Sequence, residues 1–259
     1  MKLKLASLAI GVLCLILVAG YVVWRSVPLV LTGVVKLVPT SWEESLGRAV
    51  VAGMTRPGST CDGETSQALI SAISQRLQAA MPSSGYRFNI KIVRNPEVNA
   101  LAAPGGHIVV FSGLIDKMDT PEQLAAVLAH EMQHVVQRHS TRGMMRSLGL
   151  QLGLSLIFGD VGLLGDLAGN LTVLHFMRSD EQSADDEALN TLMRAGIPPI
   201  EMQRAFENLQ RSTGNQPAPL KYLASHPPLT ERIERVKSRG SAFQGTARPI
   251  GVPMTAACP

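Results

Sequence analysis

The sequence predicts an α+β fold that is mostly helical and carries one small antiparallel β-sheet. Apolar residues recur at helical spacing in several stretches that start or stop at capping residues, Pro or Gly, which is typical of packed helices. Tyr86 to Val93 alternates apolar with polar residues, and His107 to Phe111 is a short apolar run after a Pro-Gly-Gly turn. These two runs are the expected strands.

An apolar run near the start of the chain predicts one N-terminal transmembrane helix. Lys2 and Lys4 precede Ala6 to Trp24, which contains no charged residue and approaches the roughly 20 residues needed to span a bilayer. These flanking charges favour an N-terminus inside and the rest of the chain outside. Because Val18-Ala19-Gly20 also fits a signal-peptidase site, a cleaved signal peptide is the alternative to an anchor.

Boundary signals place the helices of the folded part. Thr120 and Gln123 fit a capping box ahead of one helix, and Ser179 and Gln182 fit another, whose end is marked by Gly196. The expected helices are, in chain order, about 64–81, 121–139, 179–196, 200–211 and 229–239.

His130, Glu131 and His134 form a His-Glu-Met-Gln-His motif within the second of these helices. Residues i and i+4 lie on one helix face, so both imidazoles can reach a single metal ion. Glu131 is then placed to contact a water bound to that metal rather than the metal itself. Apolar neighbours indicate that the helix is buried, where histidines without polar partners would be costly. The motif therefore predicts a zinc site.

Two carboxylates in the helix after Ser179 are candidates for completing that site. Glu181 lies in the first turn as a possible third ligand, and Asp185 follows one turn later on the same face. Asp185 could accept the free ring N–H of a zinc-bound histidine. Spacing alone leaves an alternative open, because acidic residues also favour the first turn of a helix through its dipole.

Several further motifs carry a family resemblance over about residues 40 to 238. Besides His130–His134 and the 179–185 segment, they are Trp42-Glu43-Glu44 with Leu46-Gly47, Asn99-Ala100, Pro104 to Val110, Gly113-Leu114, and His226-Pro227 with Arg232. In this order they resemble the gluzincin metallopeptidases that include HtpX, BepA, the mitochondrial Oma peptidase and the CaaX prenyl protease. The layout is most similar to single-anchor, BepA- or Oma-like members.

The resemblance implies a minigluzincin-like zinc metalloendopeptidase domain. It implies one zinc ion per chain, held by His130, His134 and Glu181, and a zinc-bound water activated by Glu131 as general base. The implied activity is hydrolysis of peptide bonds in unfolded or misfolded membrane and envelope proteins.

His226 has two implied roles that the sequence does not separate. It could donate to the oxyanion, with Arg232 orienting its segment, or it could occupy the fourth zinc position and hold the enzyme latent. The latent form gives the alternative function, a zinc-containing chaperone or assembly factor of the cell envelope. The plain structural interpretation of His226 is a loop residue ahead of the last helix.

The resemblance also implies a substrate-binding strand. His107 to Phe111 is expected to be an edge strand bordering the zinc cleft and pairing with extended substrate. The expected substrate-binding residues are Asn99, Ala100, His107, Ile108 and Val109. As to metal binding, His107, His139 and His175 are expected to be structural, since none has an i+4 partner.

These predictions give the expected domain boundaries of the chain and its expected cellular location. The expected parts are a signal-anchor or signal peptide at 1–25, a juxtamembrane linker at 26–40, the metallopeptidase domain at 41–240 and a Pro/Gly-containing tail at 241–259. We expect a bacterial inner-membrane protein with a periplasmic catalytic domain, or a soluble periplasmic protein after signal cleavage. Nucleic acid is not an expected partner, because the net charge is only +4 and no Lys/Arg cluster is present.

Two questions stay open from the sequence. Cys61 and Cys258 could form a disulfide in an oxidising compartment or remain as two thiols. The Leu- and Gly-rich stretch from Met144 to Leu174 could be a helical hairpin of the core, or a mobile apolar lid as BepA-like relatives suggest.

Overall fold

The computed structural model describes residues 11, 12, 14, 15, 17–22, 33–147, 176–213, 226, 229–241, 243–254 and 258. The chain forms two compact units, Met1–Val38 and Pro39–Pro259. In the first unit, the described residues within 11–22 and residues 33–37 are helical. No helix within the described ranges is long and apolar enough to cross a membrane. The predicted anchor, Ala6 to Trp24, lies partly outside those ranges.

The second unit contains the elements that build the candidate site. In chain order they are helices α1 (Thr40–Met54) and α2 (Glu64–Ala80), strands β1 (Asn89–Val93) and β2 (Ala100–Ala102), a 3-10 turn (Pro104–Gly106), strand β3 (His107–Phe111), and helices α3 (Ser112–Ile115), α4 (Pro121–Val136), α5 (Arg178–Arg194), α6 (Ile200–Thr213) and α7 (Leu229–Gly240). Residues 139–147 are also helical. Most of the apolar stretch 144–174 lies outside the described residues.

The predicted positions of α2, α4, α5, α6 and α7 are confirmed, while some of their ends differ from the prediction. α4 ends at Val136 instead of about His139, because Arg138 takes a left-handed backbone with φ 57 that no helix can continue through. Gly196, with φ 71, ends α5 as expected, and the Ile197 N–H bonds to the Leu192 carbonyl at 2.8 Å.

The helix caps are partly as predicted. Thr120 Oγ1 accepts the N–H of Gln123 at 3.2 Å, as a capping box requires, but the Gln123 side chain accepts from the N–H of Asp119 at 2.9 Å. The capping box at Ser179 is wrong. Helix α5 begins one residue earlier, at Arg178, because the carboxylate of Asp180 accepts the N–H of Met177 at 3.3 Å.

The sheet is mixed, so the prediction of an antiparallel sheet with His107–Phe111 at its edge is wrong. The strand order is β1-β3-β2, with β1 parallel and β2 antiparallel to β3. Every residue of β3 is buried, as a strand paired on both sides requires, whereas β1 begins with partly exposed positions. The three residues of β2, Ala-Leu-Ala, are too short and too uniform to show a strand period.

Helix α4 lies at the centre of the helical core. Every residue from Gln123 to Val135 is buried, as expected of a helix that is apolar around most of its circumference. It packs against α5, α6, α2 and β2. The histidine motif is therefore carried by the most enclosed helix among those described.

Two close approaches fix α1 against the 3-10 turn. A Cβ on Gly47 would collide with the carbonyl oxygen of Pro104, and a Cβ on Gly105, whose φ is 72, would collide with the backbone of Glu44. Glycine at both positions allows the helix backbone and the turn backbone to touch.

A disulfide and a set of hydrogen bonds fasten the C-terminal segment. Cys61 and Cys258 are bonded, with their Cα atoms 5.2 Å apart. The guanidinium of Arg76 donates to the carbonyl of Ala195 at 2.8 Å and to that of Pro249 at 2.8 Å. The segment therefore ties α2 to the end of α5.

Gly47→Val should destabilise the folded unit, because the added side chain has no space between α1 and Pro104. We expect a loss of about 1–3 kcal/mol in the free energy of unfolding, measured by urea denaturation. Ala52→Val, which adds the same branch on the exposed side of α1, is the control. Equal denaturation midpoints for the two variants would contradict the close approach.

Candidate metal centre

His130 and His134 stand one turn apart on α4 and meet at their Nε2 atoms. The two Nε2 atoms are 3.0 Å apart, and both side chains are fully buried. This is the geometry that the i, i+4 spacing predicts for two imidazoles turned toward a common point.

Helix α5 packs along α4 and brings Glu181 to the same point. Its Oε1 lies 3.3 Å from His134 Nε2, and its Oε2 lies 3.6 Å from His130 Nε2. His226 Nδ1 lies 2.8 Å from Glu181 Oε1 and 3.4 Å from His130 Nε2. One ligand atom from each of these four buried residues lies within 4.8 Å of the others.

The four side chains fit a tetrahedral zinc site. Zinc takes nitrogen and carboxylate oxygen at about 2.0–2.1 Å, so neighbouring ligand atoms around it lie about 3.3 Å apart. The separations between ligand atoms begin at 2.8 Å, between His226 Nδ1 and Glu181 Oε1, and none of the four atoms lies more than 4.8 Å from another. Imidazole with carboxylate is also a donor set that suits zinc. The chemistry of the donor atoms and the distances between them therefore both fit a zinc ion.

Glu131 lies next to the cluster and makes no hydrogen bond within the described part of the chain. The residue is fully buried, and neither carboxylate oxygen has a hydrogen-bond partner among the described residues. Its Oε1 lies 3.6 Å from His226 Nε2. Burying a carboxylate without a hydrogen bond costs free energy, which a purely structural residue would not justify. The arrangement suits a group that receives a proton from a bound reactant.

Asp185 and Arg232 both lie beside His130, whereas Arg232 was expected to orient the segment of His226. Asp185 Oδ1 lies 2.9 Å from His130 Nδ1, the ring nitrogen turned away from the cluster. Arg232, on α7, donates to both oxygens of Asp185 at 2.7 and 2.8 Å, and its Nη1 lies 2.8 Å from Glu181 Oε2. Its guanidinium also lies 4.5 Å from the ring centre of Phe206. Arg232 thus links both carboxylates of α5 to α7.

The protonation states of His130, His134, Glu181 and Asp185 favour metal binding. Burial lowers the pKa of His134 to about 4, and burial together with the charge of Arg232 lowers the pKa of His130. Burial alone would raise the pKa of Glu181, but the charges of His226 and Arg232 hold it well below its usual range. Burial also opposes ionisation of Asp185, yet Arg232 and His130 lower its pKa to about 2. Neutral imidazoles and ionised carboxylates are the forms that bind a metal. His226 differs from the other two histidines: burial would lower its pKa, but the charges of Glu181 and Glu131 raise it.

Sequence reasoning missed two contacts to His134. The ring of Phe176 stacks on it, with centroids 3.8 Å apart and an interplanar angle of 23°. His139 Nδ1 lies 3.1 Å from His134 Nδ1. His139 does not belong to the four-residue cluster, but it adjoins it. The i+4 rule could not find it, because its position depends on the backbone break at Arg138. His175 lies outside the described residues.

The residues expected to bind substrate are divided between two strands. His107, Ile108 and Val109 lie in the central strand β3, which is paired on both sides and so is not an edge available for substrate. Ala100 begins β2, and Asn99 precedes it, with its carbonyl accepting the N–H of Phe111 at 3.0 Å. β2 packs against α4, which carries the histidine motif.

Comparisons with known proteins agree with this geometry. A model of peptidase family M48 matches residues 64–240. The β-barrel assembly-enhancing protease of Escherichia coli (strain K12) is 32% identical over 189 residues, which are 68% of this chain and 39% of that protein. Metalloprotease LoiP of the same strain is 32% identical over 167 residues, covering 61% of this chain and 65% of LoiP.

A eukaryotic relative is similar over the same part. Mitochondrial metalloendopeptidase OMA1 of Schizosaccharomyces pombe is 28% identical over 172 residues, which are 65% of this chain and 51% of that protein. The chain spans about two fifths of the length of the β-barrel assembly-enhancing proteases that it matches.

Asp185→Asn should weaken zinc binding, because the amide is a poorer acceptor for His130 Nδ1–H and loses the charge that pairs with Arg232. We expect a zinc dissociation constant about 10- to 100-fold higher, measured by competition with a chelating dye. Asp186→Asn is the matched control, since the adjacent carboxylate faces Arg235 at 2.6 Å instead of the cluster. Equal dissociation constants for Asp185→Asn and wild type would contradict the proposed role of Asp185.

Proposed function

The chain belongs to peptidase family M48, and on that premise we propose that it is a zinc-dependent endopeptidase acting on unfolded or misfolded envelope proteins. One zinc ion would be held by His130, His134 and Glu181. The observation that carries the proposal is the buried cluster of these three side chains next to Glu131, a buried carboxylate with no hydrogen-bond partner in the described part of the chain.

Each residue of the site has a defined task in hydrolysis. When bound, zinc supplies the positive charge that lowers the pKa of water toward about 7 and polarises a peptide carbonyl. Glu131 accepts the proton of the attacking water and then delivers it to the nitrogen of the leaving amine. Asp185 holds the hydrogen of His130 on Nδ1, which keeps Nε2 free to act as a ligand. Arg232 keeps both α5 carboxylates ionised.

We propose that the arrangement with His226 among the ligands is a latent state. Its Nδ1 lies as close to Glu181 and His130 as a fourth ligand would. A fourth protein ligand leaves no open position for a reactant, as in structural zinc sites. In the active state His226 would move away from this position and leave it open to a reactant.

The place of His226 within the four-residue cluster is the observation that favours the second candidate function, a zinc-containing chaperone or assembly factor of the envelope. Glu131 argues against this second function, because a scaffold gains nothing from a buried carboxylate that has no hydrogen-bond partner among the described residues. We therefore give precedence to the endopeptidase.

The proposed substrate is an extended polypeptide that pairs with β2. The strand order leaves β2 with a strand neighbour on one side only within the described part, and β2 packs against α4. Pairing through main-chain groups binds extended segments with little sequence preference, which suits unfolded proteins. Asn99 and Ala100 would line this edge, and because both are buried in the structure, pairing requires the chain that covers them to move away. The printed name of the E. coli relative, a β-barrel assembly-enhancing protease, supports envelope proteins as the substrate class.

The proposed location is the bacterial inner membrane, with the catalytic domain in the periplasm. The apolar run Ala6 to Trp24 supports an anchor, and a removed signal peptide would give a soluble periplasmic enzyme. The disulfide Cys61–Cys258 supports an oxidising compartment on either alternative.

Glu131→Gln should abolish cleavage of unfolded casein by the zinc-loaded full chain, because the amide cannot accept the proton of the attacking water. We expect the rate, followed by gel electrophoresis, to fall about 10²- to 10⁴-fold while the zinc content stays at the wild-type level. Glu187→Gln on the exposed face of α5 is the control and should cleave at the wild-type rate. Full cleavage by Glu131→Gln would rule out this residue as the base.

His226→Ala should increase casein cleavage, because it removes the ligand that closes the site. If about nine molecules in ten are closed, the rate should rise about tenfold. The rate is measured against wild type at equal zinc content. A fall of about 10²-fold instead would assign His226 as an oxyanion donor and refute latency.

A further inference from the structure

The two histidines of α4 have different partners on the side turned away from the metal cluster. His130 Nδ1 faces the carboxylate of Asp185 at 2.9 Å. His134 Nδ1 faces another imidazole, that of His139, at 3.1 Å between the two Nδ1 atoms. His139 is 3% exposed and lies outside the four-residue cluster. The proposed mechanism assigns it no task.

We propose that His139 is a positioning residue that fixes the ring of His134 for metal binding, an inference that rests on the proposed zinc function. A histidine that binds a metal through Nε2 carries its hydrogen on Nδ1 and donates it to an outer partner. His139 Nδ1 accepts that hydrogen, which requires the hydrogen of His139 to sit on Nε2.

The surroundings of His139 Nε2 fit that tautomer. The hydroxyl oxygen of Ser183 lies 3.4 Å from Nε2, and Oδ1 of Asp180 lies 3.7 Å from it. Ser183 can accept the Nε2 hydrogen, and the Asp180 carboxylate places a negative charge beside it. Arg142 donates to the same oxygen of Asp180 at 2.8 Å, so the carboxylate is held in place. These contacts therefore connect Asp180 and Ser183 on α5 to His139, and His139 to His134.

A backbone break brings His139 to this position. An uninterrupted helix would rotate residue 139 about 140° around the axis from residue 134. Arg138, with φ 57, is the one non-glycine residue with positive φ among those described. Such a conformation is strained for a residue with a side chain, and residues of this kind are often found near functional sites. Here the break turns His139 toward the outer face of His134.

The turn that carries His139 is anchored from the other side by Glu43 on α1. Glu43 is fully buried and accepts from the hydroxyls of Thr141 at 2.5 Å and Tyr86 at 2.6 Å. Arg138 Nη2 lies 3.7 Å from the same carboxylate. The buried carboxylate of Glu43 therefore holds the segment 138–141 in place.

Zinc affinity of three His139 variants tests the inference, measured on the full chain by competition with a chelating dye. His139→Leu removes the acceptor and should raise the zinc dissociation constant about 10- to 100-fold. His139→Asn keeps an oxygen near the position of Nδ1 and should restore most of the affinity. His139→Gln extends its amide toward the position of Nε2 and should not restore it.

Asn208→Leu is the control for loss of a buried polar group. Asn208 donates to Asp119 and Gln123, both at 2.9 Å, at the far end of α4, so its replacement should lower stability without changing zinc affinity. Wild-type affinity in His139→Leu would overturn the inference and leave the proposed function standing. If His139→Leu does not fold, equal affinities in the Asn and Gln variants would overturn it. A wild type that binds no zinc would refute both the inference and the proposed zinc site.

Discussion

Arg232 supplies the positive charge that lets two carboxylates stay ionised inside the helical core. Glu181 and Asp185 are both almost fully buried, and each lies within 2.8 Å of the guanidinium. Removing one partner of a buried ion pair costs about 3–5 kcal/mol, because the other charge is left uncompensated. The rest of the site follows from this pairing, since it fixes α5 and α7 against each other on one side of α4.

Around that pairing, each candidate ligand is held by a second contact outside the cluster. His130 is held by Asp185, Glu181 by Arg232, and His134 by Phe176 and His139. Rotating any one of these side chains would break a buried polar contact or a ring stack. The cluster is therefore preorganised by the protein, and a metal arriving there would find its ligands already oriented.

The parts of this structure that the sequence predicted are those that depend on local spacing. The i, i+4 pair His130 and His134 needs only a helix. Thr120 marks a helix start through its side-chain oxygen, and Gly196 marks a helix end through its positive φ. Glu181 was an open candidate from spacing, and it became specific through the family motif. The prediction that the fold is mostly helical followed from the same local signals.

The parts that the sequence did not predict depend on contacts distant in the chain. The strand order could not be read from β3, because an apolar run looks the same at an edge as in the centre of a sheet. β2 has no period at all. His139 reaches His134 only because Arg138 takes a left-handed backbone conformation. An Arg residue in a sequence does not predict that conformation.

The disulfide has a mechanical consequence. Cys61 and Cys258 close a covalent ring that contains α2 to α7 and all three strands, while α1 lies before Cys61 and outside the ring. Tension applied to the chain ahead of Cys61 would load α1 first, since the ring cannot lengthen. The contacts that resist such a pull include the glycine packing at Gly47, the hydrogen bonds of Glu43 and the burial of Val50 and Val51 in the core. A force on the N-terminal side would thus reach the metal cluster through α1 and the turn carrying His139.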